Sequence, residues 1–146
     1  MPKDKARYLM GVGKPADLLT CIGMGIDQFD CVLPSRNARH GKVFTLDGGF
    51  YIKNTRFRGD DRPLDPAGDY SPVGHFSRAY VRHLWSSGEA LGAHIMTLHN
   101  LAFYLYLSRQ ARLAILQDRY TTWSQQLLAR MATEKWKRWA QEKTSP

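Results

Sequence analysis

The sequence predicts an α/β fold that gives way to a helical C-terminal part. Three observations carry this: a strand–helix–strand succession within residues 7–33, an Asp-Gly turn between two β-rich runs within residues 42–54, and a helical apolar period beyond residue 76. Residues 7–12 (RYLMGV) form an apolar run closed by glycines and read as a buried strand. Pro15-Ala16-Asp17 then opens a helix to about Met24, with proline in the first turn, where its missing N–H is harmless. Residues 26–33 (IDQFDCVL) read as a second strand, stopped by Pro34. Strand, helix and strand at this spacing make a βαβ unit with a right-handed crossover and parallel pairing. Two parallel strands cannot bury both faces alone, so the pattern calls for a partner sheet or the rest of a barrel.

Residues 42–54 (KVFTL, Asp47-Gly48-Gly49, FYIKN) read as a hairpin, because Asp-Gly tolerates the positive φ of a tight turn. A polar loop follows over 55–74. Helical periods then cover residues 76–91, 93–116 and 120–141, with Gly88, Gly92 and Asp118 near the breaks. The chain divides on this reading into 1–41, with the strands and a basic loop; 42–75, with the hairpin and polar loop; and 76–146, helical with a basic tail.

Composition limits the classes. The 146 residues, 43% hydrophobic, suffice for one packed domain but not for the roughly 200 or more residues of a complete (β/α)8 barrel. No stretch approaches the roughly 18 apolar residues of a membrane span, and the N-terminus lacks a signal-peptide pattern, so a cytoplasmic protein is expected. A formal net charge of +8 favours a polyanionic partner such as nucleic acid. Cys21 and Cys31 form neither a disulfide framework nor a CxxC pair, which suits a reducing compartment.

Asp30 is the leading candidate for chemistry, since it lies near the C-terminal end of an apolar strand, where parallel α/β folds place reacting groups. A strand-end cap or salt bridge is the plain alternative, and Asp27 is the rival carboxylate. Residues 35–42 (SRNARHGK) read as a basic loop suited to phosphate contacts through Arg36 and Arg39, or as ordinary solvated charge. His75, His83, His94 and His99 fall in or next to helical stretches, where structural roles prevail. Phe76, Tyr80 and His83 recur at i, i+4, i+7 as one helix stripe, for core packing or a subunit interface. Trp136 and Trp139 lie among basic residues, as a solvated helix end or an RNA-stacking surface.

The motifs YLMGVG at 8–13, GIDQFDCVLPSRNAR at 25–39, Asp47-Gly48, Ile52-Lys53-Asn54, Pro63-Leu64-Asp65-Pro66, Ser77-Arg78-Ala79-Tyr80 and His99-Asn100 occur in this order along the chain. Together they resemble the C-terminal half of bacterial tRNA-guanine transglycosylases. The resemblance runs to about residue 126 and implies the last two strands of a (β/α)8 barrel and base exchange in tRNA through a covalent ribosyl-enzyme intermediate. It puts Asp30 in the nucleophile's position, Tyr8 and Met10 in the base and ribose pocket, and Arg36 and Arg39 on the anticodon loop. The family's acid/base aspartate and base-reading residues belong to earlier strands that this sequence does not contain.

The resemblance also implies a zinc site of three cysteines and a histidine. The three cysteine positions carry Gly68, Tyr70 and Val73, and only His99 keeps its place, so no zinc and no other cofactor is expected. The leading expectation is therefore the nucleophile-bearing half of an enzyme that exchanges tRNA guanine for a 7-deazaguanine base. Its partners would be tRNA and a separately encoded N-terminal half or a full-length family member, in a homo- or hetero-dimer and away from membranes. A non-catalytic tRNA-binding or scaffolding subunit and a decayed fragment are the alternatives.

Overall fold

The computed structural model describes residue 2 and residues 4–133. Strand β1 (Tyr8–Met10) and strand β2 (Gln28–Asp30) pair in parallel, with Tyr8 opposite Gln28 and Met10 opposite Asp30, and helix α1 (Pro15–Gly23) crosses between them. Pro15 occupies the first turn of α1 and Asp17 faces the helix's positive end. Gly25, at φ 89°, turns the chain back toward β2. Both strands are shorter than expected, because among the described residues neither has a further strand neighbour to extend its ladder. Alternation survives: Leu9 and Phe29 are half-buried, while Tyr8, Met10, Gln28 and Asp30 are exposed.

The run expected to be a basic loop is instead helix α2 (Leu33–Arg39). Pro34 starts it rather than merely ending the preceding strand, and its buried ring and the buried Ala38 anchor the inner face. Arg36 and Arg39 lie on the outer, exposed face. The hairpin is also corrected. Strands β3 (Lys42–Val43) and β4 (Phe50–Tyr51) share only two antiparallel pairs, and residues 44–49 leave the ladder. They do so because Phe44 and Leu46 sink into the core while Thr45 Oγ1 donates to the Gly48 carbonyl at 2.6 Å.

Within residues 55–74 the chain is more ordered than a plain polar loop. A single 3-10 turn (Thr55–Phe57) is capped by Asn54. Further on, the buried Asp60 accepts from Arg62 Nε and an Arg62 terminal nitrogen, each at 2.8 Å, and from the fully buried Arg78 at 3.4 Å. Burial alone would raise the Asp60 pKa, but the Arg62 hydrogen bonds and the two guanidinium charges hold it at about 2.

Helix α3 (Arg78–Ser86) begins after Phe76, not at it, because the Phe76 carbonyl accepts from Leu64 N at 2.7 Å and Ser77 caps the helix through Tyr80 N. Helix α4 (Ala90–Leu116) and helix α5 (Tyr120–Ala132) follow; the expected continuation of the last helix to residue 141 lies outside the described residues. Gly88 at φ 72° and Asp118 at φ 52° form the breaks. Gly92 proves to lie inside α4, where a Cβ would stand 2.9 Å from Trp85 N, so glycine permits the close α3–α4 crossing. Helix α4 serves two apolar clusters: Ile95 and Met96 join Val43, Phe50, Ile52, Phe57 and Leu64, while Phe103 and Leu107 join Leu18, Leu19, Phe44, Leu46 and Leu127. Among the described residues no helix is long and apolar enough to cross a membrane.

Because the folded pKa of Asp60 is depressed from an ordinary 3.8 to about 2, its contribution is complete above about pH 4 and fades as pH falls through 2. That contribution is roughly 2 kcal/mol, so denaturant midpoints recorded from pH 5 to 2 should fall accordingly. Asp60→Asn should flatten that slope and cost about 3–5 kcal/mol at pH 7, since it leaves the buried Arg78 charge without its carboxylate.

Candidate active site at the carboxyl end of the parallel pair

Parallel pairing brings the ends of β1 and β2 to one edge, with Met10 beside Asp30. The Asp30 carboxylate is held on one oxygen. Oδ1 accepts from the Tyr8 hydroxyl at 2.6 Å and, at the longer distance of 3.4 Å, from Gly11 N. The same Gly11 N–H reaches the Asp30 backbone carbonyl at 3.1 Å. Gly11 stands at φ 79°, with open space around a notional Cβ, so the need for glycine here is conformational. The hydrogen bond to Asp30, with its negative charge, raises the Tyr8 pKa and keeps the phenol a donor above its usual range. Among the described residues Asp30 Oδ2 has no hydrogen-bond partner, and the residue is exposed. Asp27 plays a different part: its Oδ2 accepts from Arg7 N at 2.8 Å at the opposite end of the strands.

A cleft of about 410 Å³ opens here, lined by Met10, Gly11, Lys14, Asp17, Asp30 and Arg36 among others. Asp30, Met10 and Arg36, expected from sequence, thus share one cavity, while Tyr8 contacts Asp30 from a neighbouring cleft. Arg39 is exposed a turn further along α2 and does not line the cleft. Lys14 and Asp17 were not singled out from sequence; their signal was their position just past the end of β1, where parallel folds present side chains to a ligand. Helix α4 buttresses the turn: Tyr104 donates its hydroxyl to the Gly13 carbonyl at 2.5 Å, and a Cβ on Gly13 would meet Cys31 Sγ at 2.2 Å.

Phe76, Tyr80 and His83 do not form a single helical stripe, since Phe76 precedes α3 and packs half-buried against the core. Its ring lies 5.7 Å from that of Tyr80, which with His83 is exposed, and none of the three lines the cleft. His99 is fully buried in α4. Among the described residues no cluster of three His, Cys, Asp or Glu side chains is arranged to hold a metal ion. Trp136 and Trp139 lie outside the described residues.

Fold and site together define a parallel α/β chain with a strand-end carboxylate beside basic side chains. Comparison with known proteins gives the family: the profile described as "Queuine tRNA-ribosyltransferase" matches residues 1–133. Proteins of that description are similar over most of the chain. One from Mannheimia succiniciproducens is 49% identical over 131 residues, covering 90% of this chain and 35% of the relative. One from Thiobacillus denitrificans is 52% identical over 121 residues, covering 83% and 33%. One from Herpetosiphon aurantiacus is 48% identical over 133 residues, covering 91% and 34%. The chain belongs to the queuine tRNA-ribosyltransferase family, and it spans about a third of the length of these curated relatives.

The Tyr8–Asp30 contact is open to a direct check. With the tyrosine ring carbons isotope-labelled, the Tyr8 phenol should titrate above its usual value of 10 in the native chain, and Asp30→Asn should move it back toward 10. Titration unaffected by Asp30→Asn would show that the hydrogen bond does not persist in solution.

Proposed function

We propose that this chain carries the nucleophile of a tRNA-guanine transglycosylase, with Asp30 as the attacking group. The observation that carries the reading is the exposed carboxylate at the end of β2, on the lining of the cleft, with one oxygen held by Tyr8 and Gly11. In the step proposed, Asp30 Oδ2 forms a bond to ribose C1′ as the C1′–N9 bond to guanine breaks and its electron pair leaves with the base. The incoming 7-deazaguanine base, giving up its N9 proton to the acid/base group of the earlier strands, then attacks C1′ and releases the carboxylate. A carboxylate suits both steps, because it can bond an oxocarbenium-like carbon and depart again. Met10 would line the base and ribose pocket, Tyr8 would position the nucleophile, and Arg36 and Arg39 would hold anticodon-loop phosphates from α2.

In this reading β1 and β2 are the last two strands of a (β/α)8 barrel, and their outer edges, which have no further strand beside them among the described residues, call for the earlier strands that the resemblance implies. Proton transfer to the leaving guanine and recognition of its edge would come from those strands, so the chain acts as part of a complex and is inactive alone. The exposed Tyr80 and His83 on α3 would serve a subunit contact, and a cytoplasmic site of action accords with the tRNA substrate.

The test is a covalent RNA adduct on denaturing gels. The chain is mixed with tRNA and with the N-terminal two thirds of one of the curated relatives. Asp30→Asn should abolish the adduct, and persistence of the adduct in that variant would sink the assignment. Tyr8→Phe should slow its formation about tenfold, the value of one hydrogen bond to a charged acceptor, with little change in stability. Separately, tRNA binding by the chain should weaken steeply with salt, and Arg36→Ala or Arg39→Ala should each reduce the log–log slope by roughly 0.7–0.9. A flat salt dependence would mark these arginines as ordinary solvated charge.

A further inference from the structure

The zinc site implied by the family resemblance does not fit the residues present. Gly68 and Val73 carry no donor atom, and the Tyr70 hydroxyl is committed to Asp65 Oδ2 at 2.5 Å. Both His99 ring nitrogens are also engaged: Nε2 lies 2.9 Å from the Phe44 carbonyl oxygen and Nδ1 lies 3.0 Å from Ser71 Oγ. The loop itself has closed around the absence of a side chain at 68. A Cβ on Gly68 would stand 2.9 Å from Asp65 Cβ and 3.1 Å from the Asp65 carbonyl oxygen, so a cysteine there would require the turn to move.

We propose that residues 65–75 are fastened to α4 by a metal-free clamp of Asp65, Tyr70, Ser71 and His99, which takes over the crosslinking role of a zinc–thiolate site. The chemistry is self-consistent. A carbonyl oxygen only accepts, so His99 Nε2 bears the hydrogen and donates to Phe44, while Nδ1 accepts from the Ser71 hydroxyl. One neutral imidazole thereby joins the loop, α4 and the segment after β3. Burial lowers the His99 pKa and so favours that neutral ring. Tyr70 adds an aromatic layer: its ring stacks on Tyr106 with centroids 4.6 Å apart and planes 22° apart, and lies 6.0 Å from the His99 ring. Burial and the Asp65 charge keep the Tyr70 phenol protonated well above the usual range, so it remains a donor to the carboxylate.

The clamp also reaches toward the candidate site. Phe44, which takes the His99 hydrogen bond, packs edge-on against Tyr104 with ring centroids 5.5 Å apart, and Tyr104 donates to the Gly13 carbonyl next to the Asp30 cleft. Loosening the clamp should therefore loosen a wall of the site, and no metal or thiol chemistry is needed to maintain it.

The experiment uses the full chain, purified without added metal. Elemental analysis should find far less than one zinc per chain, and a strong chelator should leave Tm unchanged within about 1 °C. Ser71→Ala and Tyr70→Phe should each lower Tm by about 3 °C or more, on the scale of one lost buried hydrogen bond in a domain of this size. In nitrogen-15 spectra His99 should show the Nε2–H tautomer, unaltered when zinc chloride is added. Near-stoichiometric zinc whose removal lowers Tm, or a metal-bound His99 pattern on zinc addition, would overturn the proposal. So would Ser71→Ala and Tyr70→Phe variants that melt with the native chain. None of these readouts depends on catalysis, so the clamp stands or falls apart from the assignment of Asp30.

Discussion

The side-chain amide of Asn100 is the constraint on which the arrangement of this chain turns. It is fully buried on α4, and each of its polar atoms is engaged: Oδ1 accepts from Phe44 N, and Nδ2 donates to the carbonyls of Pro34 and Lys42, all at 3.0 Å. One amide thus ties α4 to the start of α2 and to both sides of the point where the hairpin leaves its ladder. The adjacent His99 completes the grip by donating to the Phe44 carbonyl. With its N–H and C=O both satisfied by α4 side chains, Phe44 can abandon β-pairing and bury its ring without stranding a polar group.

The geometry of the candidate site follows from this anchoring. Holding Pro34 sets the start of α2, and the direction of α2 turns Arg36 into the cleft that contains Asp30. Farther along α4, Tyr104 holds the Gly13 turn against Cys31, so the floor beneath the strand ends is braced by the same helix. The other half of the core depends on a different polar device, the Asp60 carboxylate between Arg62 and the buried Arg78. There, the Leu64 carbonyl, which accepts from Arg78 Nε, and the pairing of Asp60 with two guanidinium groups offset the cost of taking charges out of water.

Legibility in the sequence tracked the range of the interaction involved. The parallel pair, α1 and the helical second half were readable because apolar period, an initial proline and a closing glycine act within a few residues. The place of Asp30 at a strand end was readable because the end of a parallel strand is itself a local pattern. Helix α2 was missed because a short basic run carries no periodicity, and its helicity rests on burial of Pro34 and Ala38 beneath α4. The hairpin ladder is shorter than the Asp47-Gly48 turn signal implies, because the pull of the core on Phe44 and Leu46 ends it earlier. Phe76 fits the stripe by spacing alone; its carbonyl bond to Leu64 N keeps it out of α3.

By itself, then, the sequence determined the local events: where the chain turns, which stretches can be strand or helix, and which carboxylate reaches a strand end. Tertiary structure alone decided how those pieces meet. Asn100 reaches partners 56 to 66 positions away along the chain, and His99 reaches Phe44 across 55 positions. A buried hydrogen bond of this kind exists only once the backbone groups at both ends have been brought together and shielded from water, and no spacing rule within a window of the sequence encodes that meeting.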